Sequence, residues 1–485
     1  MPLWITLLAC TAEPQPALTR PFPEGFRFGA ATAGFQVDMG CPTRTDCVDP
    51  NSDWYAWVTD PRIVEQESLY VTGQSVEAGP GMWELFEEDV ARMQADGMTA
   101  FRMSLEWSRL FPDAVPDGTT VADMDALANP EAVARYRAMF DALRAAGIEP
   151  VVTVNHYTLP LWVHDGVGCH LDLSACTARG WADPAVLVPR IAAFAGWAGR
   201  TFGGDVDRWA TLNEPFATTL SGYVQPGESR SAPPGLLLNA EATVASVTGQ
   251  IEAHAAMFDA LHLHDAQDAD ADGQAATVGI VMNMVDIQPK DPTREADRLA
   301  AEHMDFIYHR LFLDGLTTGA WDDNLDGTFD RTRPELADRL DWIGVNYYNL
   351  VNVVSVAPFK PLGEAVPLFD FIPEFSWDLH TEGIAVAVAR AAEYGRPIWV
   401  TENGTPDVAN ADGALDEHLG HLWDAMRAGA DVRGYLYWSY VDNYEWNHGM
   451  DLQFGLYGLD PSSTARLERP VIARYRTLMA QGGLE

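Results

Sequence analysis

Two apolar runs in this chain of 485 residues end in a carboxylate: "WATLNEP" (209–215) carries Glu214 ahead of Pro215, and "IWVTENG" (398–404) carries Glu402 ahead of Asn403. A charge placed directly after a core strand is costly unless it is paired or used. Two such carboxyls brought together can cleave an acetal with retention, one attacking the anomeric carbon while the other protonates the leaving oxygen, at a separation of about 5–5.5 Å. At that distance like charges resist joint ionisation, so one carboxyl holds a proton as the acid and its partner stays ionised. Esterifying the ionised one with sugar removes its charge, and the acid then turns base toward the attacking water. Gln36, His156, Asn213 and Glu445 have the donors and acceptors that sugar hydroxyls need, and Trp377, Trp438 and Trp446 suit the apolar face of a sugar ring. Taken singly, each polar residue could cap a helix or pair with an arginine, and each tryptophan could be core.

A frame must bring these residues together. Eight short β-branched or aromatic runs are strand candidates: 26–32, 100–107, 149–156, 208–214, 277–283, 341–348, 397–403 and 433–443. Between them lie segments such as "PEAVARYRAMFDALRAAG" and "TEGIAVAVARAAEYG", with apolar residues at helical spacing and glycine near several ends. Parallel strands need crossover helices, and an open sheet of eight strands would leave edges. The pattern therefore predicts an α/β fold, a single (β/α)8 TIM barrel over residues 21–485. In such barrels chemistry sits at the C-terminal ends of the strands. Polar residues gather at those ends: Gln36, Glu106, His156, Asn213 with Glu214, Asn346 with Tyr348, Glu402 with Asn403, and Trp438 with Asp442 and Glu445. Capping alone does not account for seven strands of eight ending this way.

Composition narrows the function. Against 31 basic residues stand 70 acidic ones, a formal charge of −39 that repels nucleic acid and anionic membrane surfaces. The only lysines are Lys290 and Lys360. The opening "MPLWITLLAC" resembles a lipobox, which makes Cys10 a candidate lipid anchor, and residues 11–20 read as a Pro-rich tether. No Lys or Arg precedes the apolar run as a secretory n-region requires, and a frayed terminus with a chance cysteine is the alternative. The other four cysteines form close pairs, Cys41 with Cys47 and Cys169 with Cys176, which fits two local disulfides in an extracytoplasmic protein. Zinc is the rival reading, without the usual ligand spacing, and a cytoplasmic location remains the alternative. No run of about 20 apolar residues is present to span a bilayer.

The chain resembles glycoside hydrolase family 1, the β-glucosidase and β-glycosidase family, across residues 20–480, and is most similar to its archaeal-type branch. The resemblance rests on "FPEGFRFGAATAGFQ", "FRMSLEWSRLFP", "TLNEP", "VNYY", "VTENG" and "GYLYWSYVDNYEW". It implies Glu214 as acid/base and Glu402 as nucleophile, with Arg102 and Tyr348 holding Glu402 ionised and oriented. It also implies Asn213 on the sugar 2-hydroxyl, and Gln36, His156, Glu445 and Trp446 on the other hydroxyls. Trp438 would lie under the ring and Trp377 on the leaving-group side. The implied activity is hydrolysis of terminal β-D-glycosyl residues, β-glucosides foremost and β-galactosides or β-fucosides besides, with no cofactor and no catalytic metal.

The chain departs from the family pattern at Tyr157, where the family has tryptophan, and after Gln36, where an insertion holds Cys41 and Cys47. Glu445 and the absence of a following lysine disfavour phosphorylated sugars. Two acidic loops, 268–273 and 322–327, resemble calcium loops but lack the glutamate that closes an EF-hand, so structural calcium competes with a merely solvated loop. Two other functions stay open: a transglycosidase on the same scaffold, and a non-catalytic glycan-binding barrel. The preferred sugar, the aglycone and the oligomeric state are not legible.

Overall fold

The structure, a computed structural model, describes residues 19–356, 369–376, 378–460 and 462–485. Cys10 and Trp377 lie outside the described residues. Eight parallel strands close into a barrel in chain order. They are β1 (Arg27–Ala31), β2 (Ala100–Ser104), β3 (Glu149–Asn155), β4 (Arg208–Asn213), β5 (Thr277–Asn283), β6 (Trp342–Tyr347), β7 (Ile398–Asn403) and β8 (Val432–Trp438). Seven fall within their expected runs, and β8 begins one residue earlier, at Val432. The crossover helices are α1 (Met82–Asp96), α2 (Pro130–Ala145), α3 (Pro184–Phe202), α4 (Ala240–His264), α5 (Glu295–Asp305), α6 (Gly383–Ala392), α7 (Ala411–Arg427) and α8 (Pro470–Gln481). The segment after α5 runs through a π turn, Phe306–Arg310, into a further helical stretch, Leu311–Thr318.

Several helices start and stop where local chemistry dictates. Asn129 caps α2 by accepting from the amides of Glu131 and Ala132, with Pro130 at the first helical position. Gly97 ends α1 at φ 89°, a left-handed conformation that glycine adopts freely.

The barrel interior is its own apolar cluster, distinct from the larger one between strands and helices. Small residues, Ala31, Ala100 and Ala210, leave room there for Trp342 and Trp399. The two indoles lie against glycines, since a Cβ on Gly279 would sit 2.4 Å from the Trp342 ring and one on Gly434 2.6 Å from that of Trp399. With the lower barrel filled by these rings, polar side chains are confined to the upper ends of the strands.

Connections at that upper face are long. The segment from β1 to α1 packs a second cluster, with Phe35, Trp54 and Trp57 against Tyr157, Tyr444 and Trp446. Disulfides join Cys41 to Cys47 and Cys169 to Cys176. A three-stranded sheet, Asp286–Pro289, Leu350–Ser355 and Phe371–Phe375, flanks the mouth. At the opposite end Arg20 and Pro21 pair with Leu484 and Gly483. Among the described residues no helix is long and apolar enough to cross a membrane.

The two acidic loops fold onto their own backbone. Asp322 accepts amide hydrogens from Asn324, Leu325 and Gly327, at 2.9, 2.7 and 3.2 Å. In the other loop Asp268 and Asp270 approach Asp207, a residue the sequence reading did not single out. Burial pushes the Asp207 carboxyl up to about 6, and the charges of Asp270 and Asp268 add to that.

Candidate active site

The strands that carry the two carboxylates are irregular at their upper ends. Register shifts interrupt β4 between Ala210 and Asn213 and β7 between Val400 and Asn403, where consecutive Val345 and Asn346 of β6 face Val400 and Glu402. A bulge breaks the strict in-out alternation of a strand and re-aims the side chains beyond it. Glu214 leaves β4 at φ 45°, in the left-handed region that non-glycine residues avoid, and Pro215 then starts a short helix with the φ it already prefers. Tyr157 and Trp446 have positive φ as well, at 71° and 52°. Backbone strain of this kind persists only where the surroundings over-determine it.

Arg102, in β2, is fully buried and uses every arm of its guanidinium. Its Nε donates to Thr153 at 2.9 Å, Nη1 to Glu402 Oε1 at 2.5 Å and Nη2 to Asn213 Oδ1 at 2.8 Å. The Tyr348 hydroxyl donates to the other Glu402 oxygen at 2.6 Å. Glu402 thus faces a cation and a phenol. Glu214 faces neutral donors: Asn346 Nδ2 reaches its Oε1 at 2.8 Å and the Tyr157 hydroxyl its Oε2. Asn346 is oriented by Thr401, whose hydroxyl donates to its carbonyl oxygen at 2.7 Å.

These contacts do not leave Glu402 in the usual carboxylate range. Burial pushes it up to about 7, and the charge of Glu214 adds to this against the pull of Arg102 and Tyr348. Arg102 and Tyr348 orient the carboxylate and pull it down, opposing burial and the charge of Glu214. Burial likewise pushes the phenols of Tyr157 and Tyr348 well above their ordinary value, so both remain O–H donors. It lowers His156, assisted by the charges of Arg102 and Arg230, so that ring is neutral. Asn213 presents its amide to His156 Nε2 at 3.2 Å, which leaves the ring proton on Nδ1.

A cavity of about 400 Å³ opens onto both glutamates, lined also by Gln36, His156, Asn213, Tyr348, Trp438, Glu445 and Trp446. Every expected substrate-binding residue within the described chain is therefore on one wall or another. Elsewhere on the lining, Glu445 accepts from Gln36 at 2.9 Å, from Asn443 at 2.8 Å and from Arg230 at 3.0 Å. The neutral His156 ring is stacked between Trp438 and Trp446, each 6.0 Å away. Gln36 Oε1 and His156 Nδ1 are buried with no hydrogen-bond partner in the protein.

Four strand-end residues are not on the walls: Asn346, which is buried and donates to Glu214, and Glu106, Asn403 and Asp442. Glu106 turns toward Ser104 and Thr158, at 3.1 and 2.7 Å. Asn403 ties Tyr347 to Tyr435, and Asp442 is held by the Arg469 guanidinium at 2.7 and 2.6 Å. Conversely, Arg230, Asn283, Tyr308, Phe375 and Phe454 line the cavity unforeseen. Tyr157 was noted only as a departure in a sugar contact, and the structure places its hydroxyl on Glu214. Its position directly after the strand-three histidine was the signal. Arg230 had none, because it sits on a loop of residues 225–230 with no periodicity.

The arrangement can protonate a leaving oxygen at one carboxyl and accept a carbon electrophile at the other, within walls that bind hydroxyls and a ring face. The family model for Glycosyl hydrolase family 1 matches residues 18–483. A β-galactosidase of Pyrococcus woesei is 31% identical over 509 aligned positions, covering 96% of this chain and 98% of that one. A β-glucosidase A of Thermotoga maritima is 26% identical, covering 96% and 99%. Among solved structures, a β-glycosidase from Thermosphaera aggregans superposes with a TM-score of 0.80 at 27% identity, covering 96% of this chain and 98% of that one.

Proposed function

The chain belongs to glycosyl hydrolase family 1, and on that premise we propose that its cavity hydrolyses terminal β-D-glucosyl or β-D-galactosyl residues with retention of configuration. In the first step a Glu402 oxygen attacks the anomeric carbon while the glycosidic C–O bond breaks, and Glu214 gives its proton to the departing alcohol. In the second, Glu214, now a carboxylate, takes a proton from water whose oxygen attacks the same carbon. The bond to Glu402 breaks, and the sugar leaves as the β anomer with Glu214 protonated again. Two inversions restore the configuration.

The observation that carries this reading is the unequal solvation of two carboxyls in one enclosed site: a cation and a phenol on Glu402, an amide and a phenol on Glu214. Such inequality separates a nucleophile from a proton carrier. Gln36 Oε1 and His156 Nδ1, buried and unpartnered, support the sugar assignment, because hydroxyls supply both the donor and the acceptor they need. Trp438 and Trp446 supply the ring surface. Proton NMR during hydrolysis of an aryl β-glucoside tests the reading. The β anomer appears first if it holds, and α anomer appearing first refutes it.

We propose further that Cys10 is lipid-modified and that the protein works outside the cytoplasm, a reading supported by "LLAC" at residues 7–10 and by the two disulfides. Metabolic labelling with a fatty-acid analogue in the native host should mark the protein, and Cys10→Ala should abolish the label. Unlabelled protein in the cytosolic fraction would overturn it.

A further inference from the structure

Glu214 serves the reaction in two protonation states, so whatever stabilises one of them sets the pH at which it changes role. Of its two hydrogen-bond donors, the Asn346 amide reaches Oε1 at 2.8 Å and the Tyr157 hydroxyl reaches Oε2. Tyr157 is held from all sides. Its ring lies edge-on to His156 at 5.1 Å and against Trp446 at 5.0 Å, with the Arg230 guanidinium 5.8 Å over its face. Arg230 is fixed in turn by Glu445, at 3.0 Å. The indole and the guanidinium offer no acceptor, and His156 meets the phenol with its ring rather than with a bonded nitrogen. The phenol proton is thereby directed to Glu214, and burial keeps it on the phenol through the working pH range.

We propose that Tyr157 is a positioning residue for Glu214, whose hydrogen bond favours the carboxylate and so sets the pH at which this group passes from acid to base. A donor aimed at an ionised oxygen stabilises it relative to the protonated form, and a bond to a charged group is stronger than one to a neutral group. The other charged groups facing Glu214 are Glu402 from β7 and Arg230 from the loop after β4. Behind them lie Glu445 and Arg102, each already ion-paired. Tyr308 and Tyr348 stay protonated and His156 stays neutral, so none of these three competes in the same pH window.

The inference rests on Glu214 being the acid/base, and the test separates the two. In the full-length protein, kcat/KM for an aryl β-glucoside is measured against pH for the parent, Tyr157→Phe and Tyr157→Leu, with the thermal midpoint recorded for each. Both variants lack the hydroxyl, so the alkaline limb should move up by about one to two pH units in each, the equivalent of one hydrogen bond to a charged group. The acidic limb of deglycosylation-limited kcat should move the same way. Alkaline limbs that coincide with the parent in either folded variant overturn the inference. Glu214→Gln, tested on alkyl and aryl glycosides, decides the underlying role by itself: unaltered hydrolysis of the alkyl substrate would remove the acid/base assignment instead.

Discussion

Removing the Tyr348 hydroxyl isolates one term in the ionisation of Glu402. The carboxylate accepts two strong hydrogen bonds, from Arg102 at 2.5 Å and from Tyr348 at 2.6 Å, and is itself buried. Tyr348→Phe keeps the ring beside Phe454, at 6.1 Å, and deletes one donor. A hydrogen bond to a charged group contributes about 1.5–3 kcal/mol, which at about 1.4 kcal/mol per pH unit is a displacement of about one to two units. The sign follows from which form the donor favours. Tyr348 stabilises ionised Glu402, so its loss raises a group that burial has already raised. Attack on the anomeric carbon needs the ionised form, so activity is present above the apparent pKa and is lost as pH falls through it. The acidic limb of kcat/KM therefore moves toward higher pH by about one to two units, and at a fixed pH below both limbs the rate drops about 10- to 100-fold. Steady-state hydrolysis of an aryl β-glucoside across the pH range is the assay. An acidic limb that stays in place, or moves to lower pH, would mean that Tyr348 does not support the ionised nucleophile.

Glu214→Gln should retain activity on aryl glycosides with good leaving groups, which need little protonation, lose nearly all activity on alkyl glycosides, and regain turnover of the activated substrate with azide as a β-glycosyl azide. Equal loss on both substrates without rescue would contradict the acid/base role. Arg466→Met removes the bidentate partner of buried Asp89 and leaves it Arg92 at 2.8 Å, a loss of about 1.5–3 kcal/mol that should lower the thermal midpoint by a few degrees with kcat/KM unchanged in the folded protein. Intact mass before and after reduction should differ by the four hydrogens of two disulfides, and free thiols at Cys41, Cys47, Cys169 and Cys176 in native protein would contradict the pairing.

The eight strands and their crossover helices were legible in the sequence because each has a local cause. β-branched runs alternate with 3.6-residue periodicity and with glycine or proline at the joints, and the hydrophobic effect needs no distant information to place such segments in or out. Glu214 and Glu402 were legible for the same reason, since each is a charge attached to a core strand. Which of the other strand-end polar residues face the cavity was decided only in three dimensions. Side-chain direction alternates every residue, and the shifts in β4 and β7 reset that alternation just where the site begins. Glu106, Asn403 and Asp442 are taken up by Thr158, Tyr347 and Arg469, while Asn346 reaches Glu214. Arg230 on Glu445 and Tyr157 on Glu214 join residues 215 and 57 positions apart. Contacts of that kind arise from how loops close over a barrel mouth, and no local pattern encodes them. The same holds for the surroundings of Glu402: Arg102 and Tyr348 could be named from sequence, but the burial that opposes their pull arises only in the tertiary structure.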